Sequence, residues 1–397
     1  MYRKSRGALG KDGIQMVEKD WLHYKIKNIA RVIRGASPRP KGDKRYYGGD
    51  IPRLMVEDVT RDGKFVTPQV DFLTKEGEKL SRPCKKGTLT IVCSGTVGIP
   101  SFLAVDACIH DGFLALIEID KNISNDYLYH QLSSLRNKFE SSATHGGVFT
   151  NLTTSILEEF TVAFPPTKEE QSVIAESLSN IDELIQQLDY LIQKKKNIKQ
   201  GAMQELLTGK RRLEGFSGKW KNISFNDAFY ITAGRDLDKI SFSESQDDRH
   251  PFPIYSNSLI NSGLYGFSSK FQYEKESITI TARGIVGKAN ARSHKYSAIG
   301  RVLILKPIQK LDCFFVAEYI NNKIKFSIES TGVPQLTKPQ ISKYLIDLPE
   351  LDEQLVISNI LSDMDSEIQE LKQNRDKYIM IKQGMMQKLL TGEIRVK

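Results

Sequence analysis

Cysteine is scarce in this chain of 397 residues. Cys84, Cys93, Cys108 and Cys313 are the full complement, and no two of them form a CxxC pair. The six histidines (His23, His110, His130, His145, His250 and His294) are scattered. Such spacing argues against a zinc site or a disulfide framework and leaves reduced, mostly buried thiols as the expectation. No uninterrupted run of eighteen apolar residues occurs, so no helix is expected to span a membrane. The start of the chain is polar and lacks the apolar core of a signal peptide, which predicts a cytoplasmic location.

Catalytic signatures are equally absent. Gly284-Ile-Val-Gly-Lys288 is too short for a phosphate-binding loop, and Ala289 stands where a magnesium-holding Ser or Thr belongs. Phe164-Pro-Pro-Thr167 lacks the leading Asn or Asp and the trailing aromatic of an amino-methyltransferase motif. It reads as punctuation before a helix. Cys93-Ser94-Gly95 has no glycine two residues before the serine, so it is not a nucleophile elbow. A binding subunit fits better than an enzyme, with no catalytic, cofactor-binding or metal-ligating residues expected.

What the chain does have is a long internal repeat. Lys199–Gly209 (KQGAMQELLTG) returns as Lys382–Gly392 (KQGMMQKLLTG). Gln171 matches Gln354, Ile174 matches Ile357, Leu178 matches Leu361, Asp182 matches Asp365 and Arg212 matches Arg395, all at one shift of 183 residues. Roughly half the positions agree from Pro166/Pro349 to Leu213/Val396, which marks a tandem duplication. Each copy carries an apolar stripe at alternating steps of four and three: Ile174, Leu178, Ile181, Ile185, Leu188, Ile192, and Ile357, Leu361, Met364, Ile368, Leu371. That period predicts two long helices packed on each other as a coiled coil. The Lys194-Lys195-Lys196 run interrupts the first stripe, and Gly201 and Gly384 sit inside the helices as points of kinking or close packing. A helix of about 40 residues is about 60 Å long.

Between the repeats lie two blocks that differ from each other. Strands are predicted at 87–93, 113–119, 277–282 and 301–305, and helices at 125–139 and 313–327. Weak echoes link the blocks. Each begins near a tryptophan (Trp21, Trp220), has a Gly-x-Val-Gly turn (Gly95 to Gly98, Gly284 to Gly287) and ends on a Leu-Thr step (Leu152-Thr153, Leu336-Thr337). The predicted organisation is an N-terminal tail (1–19), a first mixed domain (20–160), a first constant helical block (161–215), a second mixed domain (216–345) and a second constant block (346–397). The fold class is α+β: two mixed α/β domains separated by two long helices in an antiparallel coiled coil, with pseudo-two-fold symmetry. Positive charge collects in the variable blocks, with thirteen Lys/Arg against five Asp/Glu in 1–50 and six against two in 251–300. A polyanion would be held there.

The repeated block, with Pro before it and Glu-Gln, Ile, Leu, Asp, Ile and Lys-Gln-Gly-x-Met-Gln-x-Leu-Leu-Thr-Gly within it, resembles the conserved regions of type I restriction–modification specificity subunits. Arg34-Gly-Ala-Ser-Pro-Arg-Pro40 and Gly48-Gly-Asp-Ile-Pro52 are similar to the opening of a target recognition domain in that family. The second block departs there, with Gly234-Arg-Asp-Leu-Asp238 in place of the Ser-Pro-Arg-Pro form. The resemblance covers nearly the whole chain from about residue 20. It implies a non-catalytic subunit whose two recognition domains each read half of a split site in double-stranded DNA. The helices would set the spacing and dock two DNA methyltransferase subunits. Those partners would use S-adenosylmethionine to methylate adenine, and motor-nuclease subunits would use ATP and magnesium.

For DNA contact the sequence offers Arg31, Arg34, Arg39, Lys41, Lys44, Arg45, Tyr46 and Tyr47 in the first block. The second block offers Tyr255, Ser256, Asn257, Arg283, Lys288 and Lys338. Lys and Arg neutralise phosphates, Arg reads guanine and Asn reads adenine. Two rival readings remain at this point: a coiled-coil scaffold joining two protein-binding modules, and the specificity portion of a fused methyltransferase–nuclease. A salt-sensitive gel shift separates the first from DNA binding, and activity of the isolated chain tests the second.

Overall fold

A computed structural model of the chain describes residues 20–146, 149–327 and 335–396. The N-terminal tail expected at 1–19 lies outside the described residues. The chain divides into two units. One comprises residues 1–187 with 375–397, and the other residues 188–374.

In the first unit, a five-stranded sheet has the order Arg31–Arg34, Phe113–Ile117, Leu89–Val92, Pro100–Leu103, Phe65–Val66. A four-stranded sheet has the order Asp71–Leu73, Tyr47–Leu54, Ala107–Ile109, Pro83–Cys84. The strand Leu89–Val92 is buried throughout, because both of its faces are covered. Leu89 and Ile91 join Leu114, Leu116, Tyr127 and Leu128 in the core under the helices. Val92 joins Phe113, Ala115, Leu54 and Ile109 between the sheets. A continuous apolar run is what a strand in that middle layer requires.

The second unit is built the same way. One sheet has the order Phe229–Ala233, Val302–Pro307, Ser277–Thr281, Ala289–Arg292, and the other Phe242–Ser243, Leu264–Ser268, Phe252–Tyr255, Ser297–Ala298. Ile278, Ile280, Leu303 and Leu305 face its helical core, while Ile304 faces Tyr255, Tyr296 and Ala298.

The constant blocks form helices Lys168–Leu206 and Leu351–Leu389, each 39 residues. Thr167 opens the first, its hydroxyl accepting from the Glu170 N–H at 3.3 Å. In the first unit the start of the first helix pairs with the end of the second: Asp182 meets Lys382 at 2.5 Å and Glu170 holds Arg395 at 2.5 Å. In the second unit the repeat equivalents do the same with roles exchanged. Asp365 meets Lys199 at 2.5 Å and Glu353 holds Arg212 at 2.7 Å. Start-to-end pairing in both units is the antiparallel arrangement that the sequence predicts.

Three details refine the sequence reading. Within the Lys194-Lys195-Lys196 run that interrupts the first stripe, Lys195 pairs with Glu367 at 2.6 Å. Among the described residues nothing beyond the helix's own backbone lies within 4 Å of where a Cβ would sit at Gly201 or Gly384, so close packing against them does not require glycine. The helix predicted at 125–139 is broken into Asn125–Ser134 and Arg136–Ser142. Ser133 and Ser134 donate back to the Tyr129 and Gln131 carbonyls at 2.8 and 2.7 Å, competing with the helical ladder there.

Each helical block ends against the tryptophan of a variable block. Gly209 (φ +66) packs on Trp220, and Gly392 (φ +78) packs on Trp21, where a Cβ would approach Cε2 to 2.7 Å. The cysteines are unpaired; Cys84, Cys93 and Cys108 are buried and Cys313 is partly so.

Candidate nucleic-acid interface

In both units, four elements meet at one end of the sheets and are tied by the same backbone bonds. In the first unit, Gly35 N–H donates to Phe113 O (2.9 Å), Ala36 to Ile109 O (3.2 Å), Cys93 to Gly112 O (2.8 Å) and Leu152 to Cys93 O (2.8 Å). In the second, Gly234 donates to Val302 O (2.8 Å), Arg235 to Ala298 O (2.9 Å), Ala282 to Arg301 O (2.9 Å) and Leu336 to Ala282 O (2.8 Å). Buried Leu152 and Leu336 anchor the Leu-Thr steps, and Ser94 pairs with Asn151 as Arg283 pairs with Gln335. The faint sequence echoes are thus the hydrogen-bonded frame of one fold made twice.

The side chains on that frame differ. Arg34 occupies the place of Ala233, Ser94 that of Arg283, His110 that of Ile299, Asp111 that of Gly300 and Gly112 that of Arg301. A shared frame with exchanged side chains is the arrangement expected of surfaces that read different things.

In the first unit the frame opens into a cleft of about 460 Å³ whose lining includes Arg34, Arg39, Lys41, Ser37, His110 and Asp111. Arg34 is held by its own fold, with Nε donating to Asp111 O at 3.1 Å and Nη2 to Asn151 Oδ1 at 3.2 Å. Arg39 is largely exposed and touches Asp111 Oδ2 at 3.5 Å. Tyr47 donates its hydroxyl to Pro38 O at 2.7 Å and lies under Arg53, which is 2% exposed and paired with Asp71 at 2.6 Å. His110 Nδ1 accepts from the Gly112 N–H at 2.9 Å, so Nε2 carries the proton and donates to Asp111 Oδ1 at 2.9 Å. Burial holds His110 below the ordinary histidine range. Burial pushes the Asp111 carboxyl up, but the Ser37 hydrogen bond and the neighbouring His110 and Arg39 outweigh it and leave it below the usual range.

The cleft therefore gathers Arg34, Arg39, Lys41 and Tyr47 from the sequence-predicted set. Arg31 lies apart, with two donors on Glu118 at 2.9 and 2.6 Å. Arg45 is clamped on Asp43 at 2.7 Å and stacks 5.1 Å from the Tyr46 ring centre, and Lys44 is exposed. Ser37, His110 and Asp111 were missed. Ser37 sat in a quoted motif, but nothing local in the sequence marks the His110–Asp111 turn, which only the fold brings beside residue 37.

In the second unit Asn257 donates to Arg283 O at 3.0 Å, tying the loop after Phe252–Tyr255 to the glycine turn. Ser256 Oγ closes that loop on Gly263 O at 3.3 Å. Asn261 and Ser262 follow in it with positive φ (47° and 54°). Lys288 is exposed beyond the turn, and Lys338 lies 5.5 Å from the Tyr230 ring centre. Tyr255 is buried, with its ring 3.4 Å from the Arg292 guanidinium and its hydroxyl 2.8 Å from His294 Nε2. It is a supporting residue rather than a surface one.

Among the described residues no group of three or more His, Cys, Asp or Glu could hold a metal ion, and no helix is long and apolar enough to cross a membrane. The chain is 28% identical over 427 residues to the MjaX specificity subunit assigned to a type I restriction enzyme of Methanocaldococcus jannaschii, covering 98% of this chain and 96% of that protein. The MjaVIII specificity subunit of the same organism is 23% identical over 418 residues, covering 96% and 94%. The crystal structure of a type I restriction–modification S subunit from M. genitalium shares the fold, with a TM-score of 0.63 at 17% identity over 93% of this chain and 96% of that one. A family model described as the type I restriction modification DNA specificity domain matches twice, at residues 18–200 and 217–379. With both variable blocks and most of both helices inside those matches, the chain belongs to the type I restriction–modification specificity subunit family.

Proposed function

We propose that this chain is the DNA-reading, non-catalytic subunit of its complex. Each mixed domain reads one half of a bipartite site in double-stranded DNA. The paired helices set the spacing between halves and dock two DNA methyltransferase subunits. The chain itself holds no cofactor; S-adenosylmethionine belongs to the methyltransferases, and ATP and magnesium to motor-nuclease subunits that join them. The assembly works in the cytoplasm.

The observation that carries this reading is the frame made twice with different side chains. Two equal backbones with exchanged surface residues suit two unlike half-sites on one ligand. Arg39 and Lys41 in the first cleft give it a basic rim that draws in a polyanion, which a protein-binding scaffold does not need. The reading is tested by expressing the chain with the methyltransferase subunits of its own host in a methylation-free strain and mapping modified adenines. Methylation at one split sequence, present only with this chain, is the expected result. Methyl transfer by the chain alone, or modification without any split motif, overturns it.

A further inference from the structure

The cleft of the first unit carries a carboxylate where a phosphate site would exclude one. Asp111 is fixed from several sides. Its Oδ1 accepts from Ser37 Oγ and His110 Nε2, both at 2.9 Å, and its main-chain carbonyl accepts from Arg34. Ser37 is in turn held by buried Arg53 at 3.2 Å. Among the described residues, Asp111 Oδ2 has only the long 3.5 Å approach of Arg39, and the Asp111 side chain is 38% exposed at the cleft. The frame does not need this carboxylate. The equivalent position in the second unit is Gly300, with Ile299 in place of His110, and the same backbone bonds form without them. A side chain that the fold can omit, yet holds rigidly, points to a ligand.

Resting on the DNA-reading role, we infer that Arg39 and Asp111 together read one G·C base pair in the major groove. Guanine presents N7 and O6 as adjacent acceptors, and cytosine N4 beside them presents a donor. The Arg39 guanidinium offers a donor fork and Asp111 Oδ2 an acceptor next to it. Their 3.5 Å separation resembles the ~3 Å between O6 and N4 within the pair. An A·T pair places its single donor between two acceptors and adds a methyl group, so the fork and the carboxylate cannot both be satisfied there. A phosphate would satisfy Arg39 and be repelled by Asp111. Neutral His110, locked as donor to Oδ1 by the Gly112 N–H, keeps the carboxylate an acceptor toward the groove.

The test is selection of bound duplexes by the full-length chain from a library randomised over both half-sites, for wild type, Asp111→Asn and Arg39→Ala. Wild type is expected to fix a G·C pair at one position that both variants relax about tenfold or more, with the other half-site unchanged as an internal control. The inference falls if both variants keep every wild-type preference. It also falls if Asp111→Asn erases its whole half-site, since the residue then supports the frame instead of reading. If wild type retains no duplex even at low salt, the DNA-reading role itself is overturned, which separates the two failures.

Discussion

At the residue scale, His130 shows how tightly the first variable block is keyed to the helix beneath it. It is fully buried, and its Nε2 meets Ser179 Oγ at 3.0 Å. Lys64 donates to the same hydroxyl and pairs with Asp126, and Lys382 lies near. Burial, reinforced by those two lysines, pushes the imidazole down to about 3. The unfolded chain takes up this proton near pH 6.5 and the folded chain does not. Stability is therefore fully present above pH 6.5 and is lost as pH falls from there toward 3. Between pH 7 and 5 the group contributes a loss of about 2 kcal/mol. Urea unfolding at both values should show His130→Gln losing less stability than wild type by about that amount; equal losses would rule the mechanism out. No single-sequence signal exposes this histidine, because its neighbours come from residues 64, 179 and 382. The Leu-Thr steps and glycine turns, by contrast, were visible because the frame they build was copied along with the chain.

The element scale is where sequence and structure agree best. A four-three apolar stripe over about five turns has few solutions, and Ile174, Leu178, Ile357 and Leu361 are all buried as it requires. What periodicity does not report is the polar seam. Glu353 is only 2% exposed and takes a two-pronged grip from Arg212, both bonds 2.7 Å, while Glu170 repeats the grip on Arg395. Losing one partner of a fully buried pair costs about 3–5 kcal/mol, but Arg212 keeps a quarter of its surface in water. Glu353→Ala should therefore cost about 1–3 kcal/mol. Lys195→Ala breaks a more exposed pair and should cost about 0–1 kcal/mol. Urea denaturation ranks the two, and a reversed order would mean that the buried grip does not hold the block together. Gly201 and Gly384 add a second lesson. Glycine within a helix costs about 1 kcal/mol relative to alanine, and among the described residues no neighbour lies within 4 Å of where a Cβ would sit at either position.

At the scale of the whole molecule, one repeated contact between constant and variable blocks is made to backbone, beside the side-chain packing around it. Gln171 Oε1 accepts from the Ser124 N–H at 2.8 Å, and its repeat partner Gln354 accepts from the Asp312 N–H at 2.9 Å. The Gln354 amide returns to Pro349 O at 2.9 Å. Each glutamine thus locks the start of a variable-block helix without reading its side chain. A backbone lock tolerates sequence change above it, which is how two blocks with little sequence in common stand on one duplicated base. Exchanging residues 216–345 for the matching block of a related specificity subunit should therefore yield a folded chain, provided the donor keeps a tryptophan at the place of Trp220 to cover Gly209. Methylome mapping of the hybrid, expressed with its methyltransferase partners, should show one half-site replaced and the other retained. Loss of both half-sites in a hybrid that melts normally would mean that the two domains do not read independently. In that case the duplicated frame would be a folding device alone.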